Sequence, residues 1–272
     1  MKVTYNWLKD FVDLRISPRA LADKLTMAGL EVTALEERSG DVVLEIEITS
    51  NRPDWLSVIC IAREAAAVTN SKFKIQNSKL KIKSTGWPFK IAIQDRKDCP
   101  LYTAKIIRGV KVGPSPGWLK ERLELVGCRS VNNIVDITNY ILFERGEPLH
   151  AFDLDRLAGN AIVIRRASPS EKIVTIDGVN RELHPEVLVI ADKDKAVALA
   201  GIMGGKDSEV NYNTKNILLE AALFNPLVVR RGRQKLWLAS ESSYRFERGV
   251  DIAIVQGAAH QAVSLITQIA GG

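Results

Sequence analysis

Between residues 131 and 153 the chain reads VNNIVDITNYILFERGEPLHAFD, and this stretch constrains the fold more than any other. Ile134, Ile137, Ile141 and Leu142 recur at helical spacing, so one face of a helix is buried. Asn132, Asn133, Asp136, Thr138 and Asn139 alternate with that face, an unusual edge for a plain core helix. Gly146 stops the helix and Pro148 stiffens the exit, delivering His150 into an apolar setting beside Phe152. Two readings stay open. The polar edge and the rigidly presented imidazole form one wall of a small-ligand pocket, or His150 is a satisfied core histidine.

Around this stretch the patterning alternates between helix and strand. Ser17 followed by Pro18 opens a helix that Gly29 closes, after a short amphipathic helix over 6–12. Strands are expected over 31–36 and 42–49, then a helix over 55–69 with Asp54 as its cap. Lysine alternates with apolar residues over 72–83, as in edge strands with a cationic outer face, and 84–88 reads as a boundary. Further on, strands are expected over 91–93, 102–108, 161–167, 172–176, 188–191, 196–199 and 217–222, with helices over 118–126, 226–235 and 250–269. Residues 238–249 read as a polar loop. For 272 residues with 46% hydrophobic content, this is an α+β chain of one large or two modest domains, with enough apolar sequence for a substantial core.

Composition narrows the function classes. The N-terminus is charged and amphipathic, unlike a secretory signal, and no run of 18 apolar residues marks a membrane span. Cys60, Cys99 and Cys128 lie far apart without a CxxC pair, as reduced cytosolic thiols do. His150, His184 and His260 are equally scattered, so no metal-ligand spacing is visible. A net charge of +6 permits a polyanionic partner, with one cationic run over 72–90 and a second at Arg230, Arg231, Arg233 and Lys235.

Several residues break the simple patterning. Glu220 lies inside an apolar strand pattern, ILLEAA, and an unpaired buried carboxylate is expensive. It meets a ligand, a donor-rich loop or a cation such as Arg245 or Arg248. Gly201, Gly204 and Gly205 let backbone approach a ligand and can aim amides at a negative oxygen. Ser240, Ser242 and Ser243 supply hydroxyls, but no GxSxG elbow is present for a serine nucleophile. Arg129 binds a phosphate or pairs with Asp136.

The strings NRPDWLSVICIARE, SVNNIVDITNYILFERGEPLHAFDLDRL, LAGIMGGKDSEV, ILLEAALFNP and SESSYRFERGVD closely resemble the bacterial phenylalanyl-tRNA synthetase β subunit, in that family's order. The resemblance implies a small N-terminal B1-like helix/strand module over 1–85 and a mixed-sheet B3/B4-type editing domain over 86–272. It implies hydrolysis of mischarged Tyr-tRNA(Phe). Partners would be tRNA(Phe) and the synthetase α subunit, in a cytoplasmic heterotetramer. ATP and Mg would belong to the complete synthetase, with no cofactor or metal in this segment. Matching motifs residue by residue gives His150, Ser240 and Gly204 as catalytic, and Glu220, Arg129, Pro148, Gly201 and Ser242 as substrate-binding. In this picture Glu220 accepts the tyrosine phenol, His150 and Ser240 hold or deprotonate a water, and the Gly204 and Gly205 amides receive the oxyanion.

Two departures accompany the resemblance. Family members usually carry an oligonucleotide-binding insert after the first strand, where Glu37-Arg38-Ser39-Gly40 here runs straight on. Ser242 stands where the family usually has alanine, near the expected gate for the amino-acid side chain. The alternative reading is a non-catalytic RNA-binding or assembly module with a degenerate pocket. The chain also ends before the modules that dock the α subunit, so a segment without the aminoacylation site is expected.

Overall fold

The computed structural model describes residues 1–74 and 86–272. Most of the cationic stretch over 72–83, and part of the boundary over 84–88, lies outside the described residues.

Strand β1 (Lys2–Thr4) runs directly into helix α1 (Tyr5–Lys9), capped where Thr4 accepts the Trp7 amide. Ser17 caps α2 (Pro18–Met27) through the Ala20 amide, and Gly29 ends that run at φ +95°. β2 (Val32–Arg38) and β3 (Asp41–Ile46) form a hairpin that β1 joins in the order β1–β3–β2. The hairpin closes through Ser39 and Gly40, both at positive φ, which matches a two-residue turn. So Glu37-Arg38-Ser39-Gly40 passes straight from one strand to the next through a tight turn. Helix α3 (Val58–Thr69) starts later than expected: Ser57 caps it by accepting the Cys60 amide, while Asp54 pairs with Arg52 at 2.8 Å.

The next part contains β4 (Lys90–Ile93), β5 (Leu101–Arg108), α4 (Gly117–Leu125) and α5 (Asn133–Arg145). Asn132 caps α5 through the Ile134 and Val135 amides. The polar edge of α5 is not a pocket wall. Asn133 exchanges hydrogen bonds with the Gly113 amide and Lys111 carbonyl, and Asp136 accepts from Ser115, Ser130 and the Val131 amide. These side chains fasten the preceding loop to the helix, which is how buried polar groups avoid a desolvation penalty. Past Gly146 the chain forms strand β6 (Leu149–Asp153) rather than an irregular exit.

β7 (Ala161–Arg166), the hairpin of β8 (Lys172–Val174) and β9 (Asn180–Glu182), β10 (Leu188–Ala191), β11 (Ala196–Leu199), β12 (Met203–Gly204) and β13 (Asn216–Leu223) follow. Then come α6 (Pro226–Leu236), α7 (Glu241–Phe246) and α8 (Ile252–Ala270). Helix α7 replaces the expected polar loop. Ser240 and Ser243 form a reciprocal capping box in which serine does the work usual for glutamate. Helix α8 is long and apolar enough to cross a membrane by length and composition, yet it lays Val255, Ala258, Ala259, Ala262, Val263 and Ile266 into the core.

The architecture is α+β, with a mixed sheet. β12–β11–β10–β7–β4 is antiparallel except at β4–β7, and β5–β13–β6 is antiparallel throughout. β13 is the keystone because both of its faces are buried. Ile217, Leu219 and Ala221 join one core with α5 and α8, while Leu218 and Ala222 join a second core under the larger sheet. Side chains alternate along a strand, so Glu220 shares the second face.

Candidate functional site

Antiparallel pairing sets Glu220 of β13 directly opposite His150 of β6. Directly opposed residues point to the same side, so the carboxyl and the imidazole face the second core together. Between the two sheets lies a pocket of about 370 Å³, its open mouth included. Pro148, His150, Gly201, Gly204, Glu220 and Ser242 line it, with Ile190, Leu199, Ile202, Met203 and Phe246 as its apolar walls.

Glycine shapes this pocket. A Cβ on Gly204 would lie 2.4 Å from His150 Cε1, so only glycine leaves room for the ring. Gly201 sits at φ +69°, with Phe224, Phe246 and Val229 about 3 Å from where a side chain would begin. His150 also packs edge-on against Phe152, with ring centroids 4.4 Å apart. Its Nε2 is closed off and has no hydrogen-bond partner. Burial pushes the imidazole down to about 4. A ring held that low is a neutral acceptor, suited to fixing a water and weak at taking a proton near pH 7.

Glu220 is 5% exposed, and burial pushes its carboxyl up to about 8. No cation meets it. Arg245 pairs with Glu241, and Arg248 with Glu247. Instead the Tyr102 hydroxyl donates to Glu220 Oε2 at 3.1 Å. The carboxyl therefore already holds one phenol of its own chain and keeps its second oxygen for another donor. Near neutrality it is largely protonated, unlike the charged acceptor expected from sequence.

Glu147 stands behind it, fully buried, with neither oxygen in a full hydrogen bond and the Ala222 backbone amide nearby, favouring its charged form. Burial first, and then the neighbouring Glu220, raise its carboxyl to about 9. Neither Tyr102 nor Glu147 stands out in the sequence. Tyr102 meets Glu220 across 118 residues of chain, and a glutamate between glycine and proline reads as an exposed turn.

The remaining site residues lie elsewhere. The Ser240 hydroxyl donates to the Ile202 carbonyl at 2.7 Å and accepts the Ser243 amide, so it is taken up in capping α7 and lies off the pocket wall. The Gly205 amide is spent on the Val197 carbonyl at 2.8 Å. Arg129 is exposed and does not pair with Asp136. It lines a separate cleft, of about 1250 Å³, with Lys2, Glu241, Tyr244 and Arg245. Helix α7 is the wall between that cleft and the pocket, since Ser242 faces one and Glu241 the other.

The domain that carries this pocket has a known family. Residues 98–271 match the B3/4 domain, and the chain belongs to that family. Its relatives are phenylalanine–tRNA ligase beta subunits, so the resemblance read from the motifs is borne out. The beta subunit of Rhodopirellula baltica is 46% identical over 274 residues, covering 100% of this chain and 40% of its own length. That of Carboxydothermus hydrogenoformans is 50% identical over 232 residues, covering 85% and 29%. That of Syntrophotalea carbinolica is 38% identical over 387 residues, covering 100% and 48%. The chain thus spans less than half the length of these relatives. The Syntrophotalea match needs 387 positions to span 272 residues, so that relative carries extra sequence within the span, whereas the Rhodopirellula match at 274 does not. A solved N-terminal fragment of the Pyrococcus horikoshii phenylalanyl-tRNA synthetase beta-subunit aligns over 85% of this chain and 72% of that one. At 16% identity and a TM-score of 0.45, it is too distant to bear on the site.

Proposed function

We propose that this chain is part of a phenylalanine–tRNA ligase beta subunit and hydrolyses mischarged Tyr-tRNA(Phe). One observation carries the reading: a buried carboxyl and a neutral imidazole face each other across β6 and β13 within one pocket. A synthetic site built for phenylalanine rejects an analogue that merely adds a hydroxyl by only about a hundredfold. A second site must then select for that hydroxyl. Glu220 does so through the oxygen that Tyr102 leaves free, donating its retained proton to the phenol oxygen while protonated and accepting the phenol hydrogen once ionised. Phenylalanine leaves that oxygen unpaired, which costs roughly 1–3 kcal/mol, nearer the lower figure while the carboxyl is protonated.

His150 orients a water onto the ester carbonyl once the bound ester opens its closed-off, unpartnered Nε2 to the pocket. Ser240 supports the reaction by fixing α7, and with it Ser242 at the pocket wall. Aminoacylation, with its ATP and Mg, belongs to the complete synthetase with the α subunit, in the cytoplasm. Purified chain given Tyr-tRNA(Phe) is expected to release tyrosine above the spontaneous rate. Retained tRNA binding without turnover would instead favour a non-catalytic RNA-binding module, whose best support is the extra hydroxyl of Ser242 in the pocket.

A further inference from the structure

Helix α6 has an inner and an outer side. Val228, Val229 and Gly232 are buried against the second core. Leu227, Arg230, Arg231 and Gln234 are exposed and fall within about a 100° arc of the helix. Arg233 pairs with Glu247 at 2.6 Å and Lys235 with Glu186 at 3.5 Å. Among the described residues, Arg230 and Arg231 have no acidic partner. Directly after the helix stands Trp237, 96% exposed.

That tryptophan is out of place in two ways. Its backbone is left-handed, at φ +50°, in the C-cap position where glycine is the usual residue. Its indole packs on nothing, although such a large apolar ring normally finds cover. A bulky ring kept in a strained turn and fully in solvent points to a ligand that covers it. Residues 238–240 then lead from Trp237 to the Ser240 cap, and Ser242 on the pocket wall is five residues away. Five residues of extended chain reach about 17 Å at most, so the backbone of Trp237 lies within that distance of Ser242.

We infer that the outer face of α6 and Trp237 form a platform for single-stranded RNA, with a base stacked on the indole and the backbone phosphates held by Arg230 and Arg231. Unpaired guanidiniums beside an exposed aromatic are the chemistry that holds a flexible polyanion with flat bases. Inside a duplex both faces of every base are already stacked and only the end pair is open, so the platform suits the splayed bases of an unpaired end. This deepens the proposed function, because the ester in the pocket would sit at such an end.

The test uses uncharged RNA, so that it stands apart from hydrolysis. The whole chain is titrated by fluorescence anisotropy with a hairpin bearing a four-nucleotide 3′ overhang and with the same hairpin blunt. Trp237→Gly, which suits the left-handed turn, is expected to bind the overhang about tenfold more weakly and the blunt hairpin unchanged. Trp237→Phe should keep most of the affinity. Replacing both Arg230 and Arg231 by Ala should weaken both RNAs and lower the salt slope by about one unit per arginine. The inference is overturned if Trp237→Gly binds the overhang as tightly as the parent. It is equally overturned if both hairpins lose affinity alike, or if the substitution alters only self-association. Absence of Tyr-tRNA(Phe) hydrolysis with these binding differences intact would remove the editing reading and leave the platform standing.

Discussion

Glu147 and Glu220 are two carboxyls in one buried setting, and their titration gives the site a pH signature. Their carboxyls sit at about 9 and about 8 in the fold, against 4.5 for an exposed glutamate. The folded state therefore holds protons that the unfolded chain has released. This contribution to stability is complete below about pH 4.5 and is lost as pH rises through 8 to 9. His150 works in the opposite sense: lowered from 6.5 to about 4, it contributes above pH 6.5 and loses that contribution as pH falls toward 4. Between pH 6.5 and 9 only the carboxyls of this group titrate, so the thermal midpoint should decline there. Glu147→Gln removes one of the two, and a midpoint series across that range should fall less steeply than in the parent. An equally steep fall would mean that Glu147 does not carry a retained proton. His150 and Glu220 were legible because each breaks an apolar pattern. Glu147 and Tyr102 were not, because their importance arises only from contacts across sheets.

At the scale of elements, local capping chemistry was the most readable part of the chain. Ser17 with Pro18, and Gly146, stand where their side chains or φ angles predict. β13 was legible as well, because a strand buried on both faces is an unbroken apolar run. β6 was hidden, since five residues after a helix show no alternation of their own, and so was α7, whose box uses Ser243 in place of an acid. Pairing order was out of reach too, because β6 and β5 both join β13 from distant parts of the sequence. The capping role of Ser240 predicts a particular mutant. Ser240→Ala removes the α7 cap and leaves the Ile202 carbonyl without its donor, which costs about 1–2 kcal/mol. A thermal midpoint lower by roughly 2–6 °C is expected. An unchanged midpoint would show that α7 holds without its cap.

For the whole molecule, the site follows from layering. One core joins the N-terminal elements to α4, α5 and α8, a second lies under the five-stranded sheet, and β13 separates them. Glu220 therefore sits deep, in an apolar layer, on the central strand of β5–β13–β6, whose strands all send side chains into both cores. The selection for a phenol that we propose depends on that depth, because a carboxyl near water would lose little when its partner is missing. The most direct measurement is the ratio of deacylation rates on Tyr-tRNA(Phe) and Phe-tRNA(Phe), taken for the intact chain and for Glu220→Ala. The ratio should favour tyrosine by at least about fivefold in the parent and fall to about one in the variant. A Glu220→Ala protein that still hydrolyses the tyrosyl ester selectively would contradict the account.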